Sequence, residues 1–166
     1  PASVAKAVTA LYALEHLGPD HRFRTRLMRR GAVVDGRLEG DLLLVGGGDP
    51  GLDTDQLGDL AAALAAQGIR QVTGRFIACD GALPPRFRIA PDQPDFLGYN
   101  PAISGLNLNF NRVHFEWKRA SDGWGVAMDA RGERFAPPVR MARIEVVPAA
   151  SLERYRAMLA RMQQNQ

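Results

Sequence analysis

The chain has 166 residues, 46% of them hydrophobic and 23% charged, which is the composition of an ordinary globular protein of about one domain. No apolar run approaches the roughly 18 residues that cross a bilayer, so no transmembrane segment is expected. The net charge is +3 and the pI is near 9.5, carried by arginines that interleave with acids such as Asp35, Glu39 and Asp41. A nucleic-acid binder would show a basic stripe with exposed aromatics or a recognised motif, and no nucleic-acid partner is expected. Cys79 is alone and can form no internal disulfide; it reads as a small apolar residue in a strand. The opening Pro1-Ala2-Ser3, without a methionine, reads as a processed or trimmed product.

Residues Ala2 to His16 read as a helix, with Val4, Val8, Leu11 and Tyr12 near the 3.6 period and Gly18-Pro19 as its stop. Arg22 to Arg30 alternates Phe23, Thr25 and Leu27 against arginines, the pattern of a strand with one wet face. Asp35-Gly36 is a turn signal between apolar positions and predicts a hairpin, with a strand over Asp41 to Val45. Asp53 or Thr54 is placed to cap a helix running to Gln67, with Gly68 as terminator. A strand is expected over Ile69 to Asp80, and a proline-rich loop from Gly81 to Pro101. Leu106, Leu108 and Phe110 alternate with Asn107, Asn109 and Asn111, then Val113, Phe115 and Trp117 continue on the other parity. That predicts a strand with a bulge or bend. Ser121-Asp122-Gly123 turns the chain into a strand over Trp124 to Ala130. A last strand is expected over Arg140 to Val147, and a helix over Ser151 to Met162. Hairpin-joined strands dominate, so the fold class is α+β with antiparallel pairing.

Ser3-Val4-Ala5-Lys6 is the sharpest chemical feature. At i and i+3 on a helix the two side chains share a face and can touch. A serine in the first turn lies near unpaired backbone N–H groups that favour negative charge. Its hydroxyl becomes a nucleophile when a lysine, kept neutral by burial or by neighbouring cations, takes the proton. The tetrad suits acyl transfer, but it is short enough to arise by chance about as often as not in a chain of this composition.

The surrounding sequence is more specific. The run Pro1 to Leu11, with Leu14-Glu15-His16-Leu17-Gly18-Pro19-Asp20, resembles the nucleophile helix of the D-Ala-D-Ala carboxypeptidase/endopeptidase family S13, the penicillin-binding protein 4 type. The resemblance continues through Phe23-Arg24-Thr25, Gly36 to Leu42, Gly47-Gly48-Asp49-Pro50, Leu97 to Ser104 and Leu106 to Val113, and covers Pro1 to about Val147. It implies a periplasmic or extracytoplasmic enzyme of peptidoglycan maturation that acts on stem peptides. Such an enzyme is covalently inhibited by β-lactams and uses no metal or organic cofactor. It further implies Ser3 as nucleophile and Lys6 as proton acceptor. The architecture it implies is a fragment of a serine β-lactamase/transpeptidase-like fold, its nucleophile helix over 1–22. A mostly antiparallel inserted α+β domain with return strands follows over 23–147, and a helical C-terminal segment over 148–166.

Family members also carry Ser-x-Asn and Lys-Thr-Gly motifs. The chain contains no Lys-Thr-Gly, and Ser104-Gly105-Leu106-Asn107 is one residue too long for Ser-x-Asn, so it is given no catalytic role. As given, the chain reads as part of an enzyme. The alternative is a non-catalytic cell-wall scaffold or binding module. Other features are weaker. Gly46 to Gly51 fits a strand-end turn better than a phosphate loop. His16, His21 and His114 lack metal-ligand spacing. A Ser3, His114 and Asp80 triad can be written only on paper. Asn107, Asn109 and Asn111 read as a solvated strand face, with glycan or peptide binding as the second reading.

Overall fold

The computed structural model of the chain describes residues 2–94, 97–121, 123–141, 144, 146, 149–153 and 156. They fall into two compact units, Pro1–Asn111 and Arg112–Gln166.

The first unit opens with a 3-10 turn, Ala2–Val4, that leads into helix α1, Ala5–Leu17. Gly18 ends the helix at φ 82°, a left-handed value that glycine adopts without a Cβ penalty, and its N–H donates to the Leu14 carbonyl. No residue of α1 is buried, and Val4, Val8, Leu11, Tyr12, Leu14 and Leu17 all face solvent among the described residues.

Strand β1, Arg26–Val34, and strand β2, Arg37–Val45, form the expected hairpin, with Arg26 opposite Val45 and Val34 opposite Arg37. Asp35 and Gly36 at its tip both have positive φ, 50° and 78°, the pattern of a primed turn matched to strand twist. The expected strand over Arg22 to Arg30 is therefore shifted. Residues 21–25 form no strand, because β2 ends at Val45 and turns into the glycine run, leaving nothing for them to pair with.

Helix α2, Thr54–Ala66, starts on a complete capping box. Asp53 Oδ1 accepts from Gln56 N at 2.8 Å, and Gln56 Oε1 accepts from Asp53 N at 3.0 Å. The region expected as one strand over Ile69 to Asp80 is two: β3, Gln71–Val72, and β4, Phe76–Cys79. The break comes at Gly74, whose N–H donates to the Gly40 carbonyl and whose missing Cβ lets the two backbones approach. Both β3 and β4 run parallel to β2, whereas antiparallel pairing was expected. The reason is α2, which carries the chain back as a crossover between β2 and β3. The class remains α+β, with antiparallel hairpins and one mixed sheet.

The core of this unit is small. Leu38, Leu42 and Ile69 are buried, with Leu27, Leu64 and Val72 packed against them. Leu38 is 0% exposed, and each such side chain contributes about 1.5–3 kcal/mol of hydrophobic stabilisation. Of β2, Leu38 and Leu42 reach this core, and the β1 positions in register with them are Val33 and Arg29.

The second unit contains a hairpin of β5, His114–Ala120, and β6, Gly123–Asp129, paired antiparallel from His114–Asp129 to Ala120–Gly123. One face carries Phe115, Trp117 and Arg119 opposite Met128, Val126 and Trp124; the other carries His114, Glu116 and Lys118. The expected turn at Ser121-Asp122-Gly123 includes Asp122, which lies outside the described residues. The expected strand over Arg140 to Val147 and helix over Ser151 to Met162 also lie largely outside them.

Candidate active site

Ser3 lies in the 3-10 turn and Lys6 in the first turn of α1. With a spacing of three positions and nearly one helical turn of rotation, the two side chains meet: Lys6 Nζ donates to Ser3 Oγ at 2.9 Å. The contact between candidate nucleophile and candidate base is direct. Both groups are exposed, so nothing among the described residues desolvates them. An ammonium donor in this position is one proton transfer from a neutral amine that accepts the serine proton.

The stretch after the proline-rich loop departs most from expectation. Residues 106–108 form no strand, and Asn109, Phe110 and Asn111 make a left-handed turn with φ of 50°, 57° and 51°. Asparagine tolerates this region because its short side chain can bond locally, whereas phenylalanine does not, and such strain costs of order 1 kcal/mol or more. Side-chain bonds hold the turn. Asn109 Oδ1 accepts from Thr54 N at 3.1 Å, and its Nδ2 donates to Thr54 Oγ1 at 2.9 Å. Asn111 Nδ2 donates to Ala102 O at 2.7 Å and to Asn107 Oδ1 at 2.9 Å. The three asparagines are thus committed to bonds within the chain and do not form a solvated strand face. Asn107 also closes on Ser104, its Oδ1 accepting from Ser104 N at 2.9 Å and its Nδ2 donating to Ser104 O at 2.8 Å. The Ser104-to-Asn107 segment is a self-satisfied turn.

Asn100 was not singled out on its own from sequence, yet it is 2% exposed and organises the proline-rich loop. Its Oδ1 accepts from Ala90 N at 2.8 Å and its Nδ2 donates to Ala90 O at 3.0 Å and Gln93 O at 3.2 Å. The signal lay in the Asn-Pro step flanked by prolines, which marks a turn but does not say that the side chain is buried.

The glycine run after β2 is a backbone junction. Gly46 N donates to Cys79 O at 2.9 Å, Gly48 N to Gly105 O at 2.8 Å, and Gly105 N to Asp80 O at 2.8 Å. A Cβ on Gly46 would strike the Gly105 carbonyl, so close packing explains the glycine and the strand-end reading holds. His114 sits in the second unit, in register with Asp129. Among the described residues no three His, Cys, Asp or Glu side chains converge as metal ligands.

Three carboxylates are held below their usual range. The Arg75 side chain, donating at 3.0 Å, does this for Asp41, helped by the Arg75 backbone N–H and more weakly by Arg30. Lys118 at 2.7 Å does it for Glu116, with Arg131 and His114 assisting, and Arg131 at 2.7 Å does it for Asp129. All are surface pairs remote in sequence from Ser3 and Lys6.

The chain is similar to known proteins over most of its length. The model of the D-Ala-D-Ala carboxypeptidase 3 (S13) family matches residues 1–165. A D-alanyl-D-alanine carboxypeptidase of an Actinomadura species is 45% identical over 156 residues, 92% of this chain and 24% of that protein. D-alanyl-D-alanine carboxypeptidase DacB of Haemophilus influenzae is 37% identical over 76 residues, 46% of this chain and 16% of that one. The crystal structure of penicillin binding protein 4 (dacB) from Haemophilus influenzae superposes with a TM-score of 0.61 at 27% identity, covering 76% of this chain and 29% of that one. The same protein complexed with a β-lactam superposes with a TM-score of 0.50 at 29% identity, covering 69% and 22%. The chain thus spans about a quarter of the length of the first of these relatives. It belongs to the D-Ala-D-Ala carboxypeptidase 3 (S13) family of peptidases.

Proposed function

We propose that the chain supplies the nucleophile helix of a serine-type D-Ala-D-Ala carboxypeptidase that acts on peptidoglycan stem peptides outside the cytoplasm. The observation that carries this is the 2.9 Å contact between Lys6 Nζ and Ser3 Oγ at the start of α1, inside a family match of nearly the whole chain. Neutral Lys6 takes the Ser3 proton as Oγ attacks the carbonyl of the D-Ala-D-Ala bond. The tetrahedral intermediate collapses with release of D-Ala, the leaving amine receiving a proton from the Lys6 ammonium. Water, deprotonated in the same way, then hydrolyses the acyl-serine. Penicillin enters the same first step: its amide carbonyl acylates Ser3 and its ring opens. That the Haemophilus influenzae protein forms a complex with a β-lactam supports the reading that this chain's protein meets such compounds. In this proposal 1–22 belongs to the transpeptidase-like domain and 23–147 is the inserted domain with its return strands, while the segment 148–166 lies mostly outside the described residues.

Release of D-Ala from a D-Ala-D-Ala peptide by the full gene product tests it. Ser3→Ala and Lys6→Ala are each expected to lower kcat by about 10⁴-fold or more, as loss of a nucleophile or its partner does in other serine hydrolases. Lys6→Ala acting at the wild-type rate would contradict the assigned role.

A further inference from the structure

Positive charge is concentrated on one segment. Residues 22–30 contain Arg22, Arg24, Arg26, Arg29 and Arg30 and no acid, so they carry +5 against a net +3 for the whole chain, and everything else sums to −2. All five arginines are exposed. Arg26 and Arg30 share one face of β1, and Arg22 and Arg24 continue their parity toward α1. Arg29 lies on the other face of β1.

The acids that flank this segment in sequence do not neutralise it. On the face of β2 opposite Arg26 and Arg30, Glu39 is paired with Arg37 at 2.6 Å and Asp41 with Arg75 at 3.0 Å. Among the described residues only Arg30 shares an acid, acting on Asp41 more weakly than Arg75 does. Arg22 and Arg29 instead donate to backbone carbonyls, of His21 and Gly31 respectively, which hold the side chains without cancelling their charge.

We infer that the segment 22–30 is a docking surface for the peptidoglycan polymer itself, binding the free carboxylates of its stem peptides apart from the bond being cut. This inference rests on the proposed carboxypeptidase reading. The arginines are spread out: Arg26 to Arg30 alone spans about 13 Å of strand. A single small anion is held by cations that converge, whereas a spaced row suits charges that recur along a chain. Stem peptides present such carboxylates, and removing a terminal D-Ala exchanges one terminal carboxylate for another, so their number along the polymer is kept. Guanidinium forks match carboxylates with paired hydrogen bonds. One exposed contact is weak, but several on a repeating partner add up. The segment follows α1 directly in the chain, so the same stretch of sequence would hold the polymer and carry the nucleophile.

The test is co-sedimentation of the 166-residue chain with purified insoluble peptidoglycan. It is compared with the same peptidoglycan after its carboxylates are converted to amides, with inorganic polyphosphate on beads, and with a DNA duplex. The wild type should pellet with native peptidoglycan, be released by salt and ignore the amidated polymer. Replacing all five arginines by glutamine should weaken retention by about tenfold or more, and replacing them by lysine should leave most of it. Should the glutamine variant not fold, Arg22→Gln with Arg24→Gln, both outside β1, decides the matter with a partial loss. Retention unchanged in the glutamine variants, or unchanged by amidation, would overturn the inference. So would tighter binding to DNA or polyphosphate than to peptidoglycan. Penicillin acylation of the gene product is read separately. If it fails while retention holds, the carboxypeptidase reading falls and the surface stands; if acylation holds while retention fails, only the surface falls.

Discussion

Single side chains decide most of what is distinctive in this chain. Asn109 fills two roles at once, taking a left-handed backbone and satisfying the first amide of α2 through Thr54. Asn109→Ala removes both side-chain bonds and puts a Cβ penalty on the turn, so it should cost about 2–3 kcal/mol in urea unfolding. Asn109→Gly loses the bonds but keeps the backbone free, and should cost less; equal losses would show that the backbone conformation contributes nothing. Asp41 tests the surface electrostatics. Arg75 holds its folded pKa below 3.8, so the pair stabilises the fold above that value and the contribution disappears as pH falls through the depressed pKa. The stability gap between wild type and Asp41→Asn should therefore be flat above about pH 5 and shrink toward zero at lower pH. A gap that widened on acidification would reverse the sign of this effect. Lys6 and Ser3 belong to this scale too, since their meeting follows from a spacing of three residues and little else.

At the scale of elements, the β1–β2 hairpin is the framework on which α2 and the parallel strands assemble. It passes through a facing pair of glycines, Gly31 and Gly40, with φ of 132° and 153°. A Cβ on Gly31 would collide with the Glu39 carbonyl oxygen, and one on Gly40 with that of Arg30. Gly31→Ala should destabilise the unit by about 2 kcal/mol or more, measured by thermal or urea unfolding, with no change in the unfolded chain large enough to offset it. A variant as stable as wild type would mean that the strands separate there at no cost. The elements legible in the sequence are those whose signals are local. Asp53 or Thr54 marks the start of α2, Gly18 and Gly68 mark helix ends, and Asp35-Gly36 marks the hairpin tip. What was not legible depended on partners distant in sequence. Residues 22–25 alternate like a strand but have no strand beside them. Leu106 to Asn111 alternates as well, yet its asparagines bond to Thr54, Ala102 and Ser104, which competes with any ladder. The parallel pairing of β3 and β4 follows from the α2 crossover, and alternation along one strand carries no record of its neighbour's direction. At the candidate site, the Ser3–Lys6 contact was legible from spacing, while the burial of Asn100 was not.

Taken as a whole molecule, the chain combines an exposed apolar helix with a small core in its first unit. Helix α1 presents Val8, Leu11, Leu14 and Leu17 to solvent with no residue buried, and thirteen residues of helix without tertiary packing are marginal in water. The chain spans 24% of the Actinomadura relative, and Ser3 has its lysine but no described group to receive an oxyanion or a substrate carboxylate. A base contact alone makes a slow enzyme, because stabilising the charge that develops on the carbonyl oxygen is usually the larger share of catalysis. The proposed chemistry therefore falls on one oxygen atom, Ser3 Oγ, which becomes acylated. It is tested most directly by intact-protein mass measurement of the full gene product after incubation with a penicillin, beside Ser3→Ala. The expected result is one covalent penicillin adduct per chain, absent from the variant. An adduct that persists in Ser3→Ala, or a wild-type protein that takes up none, would contradict the assignment of Ser3 as nucleophile.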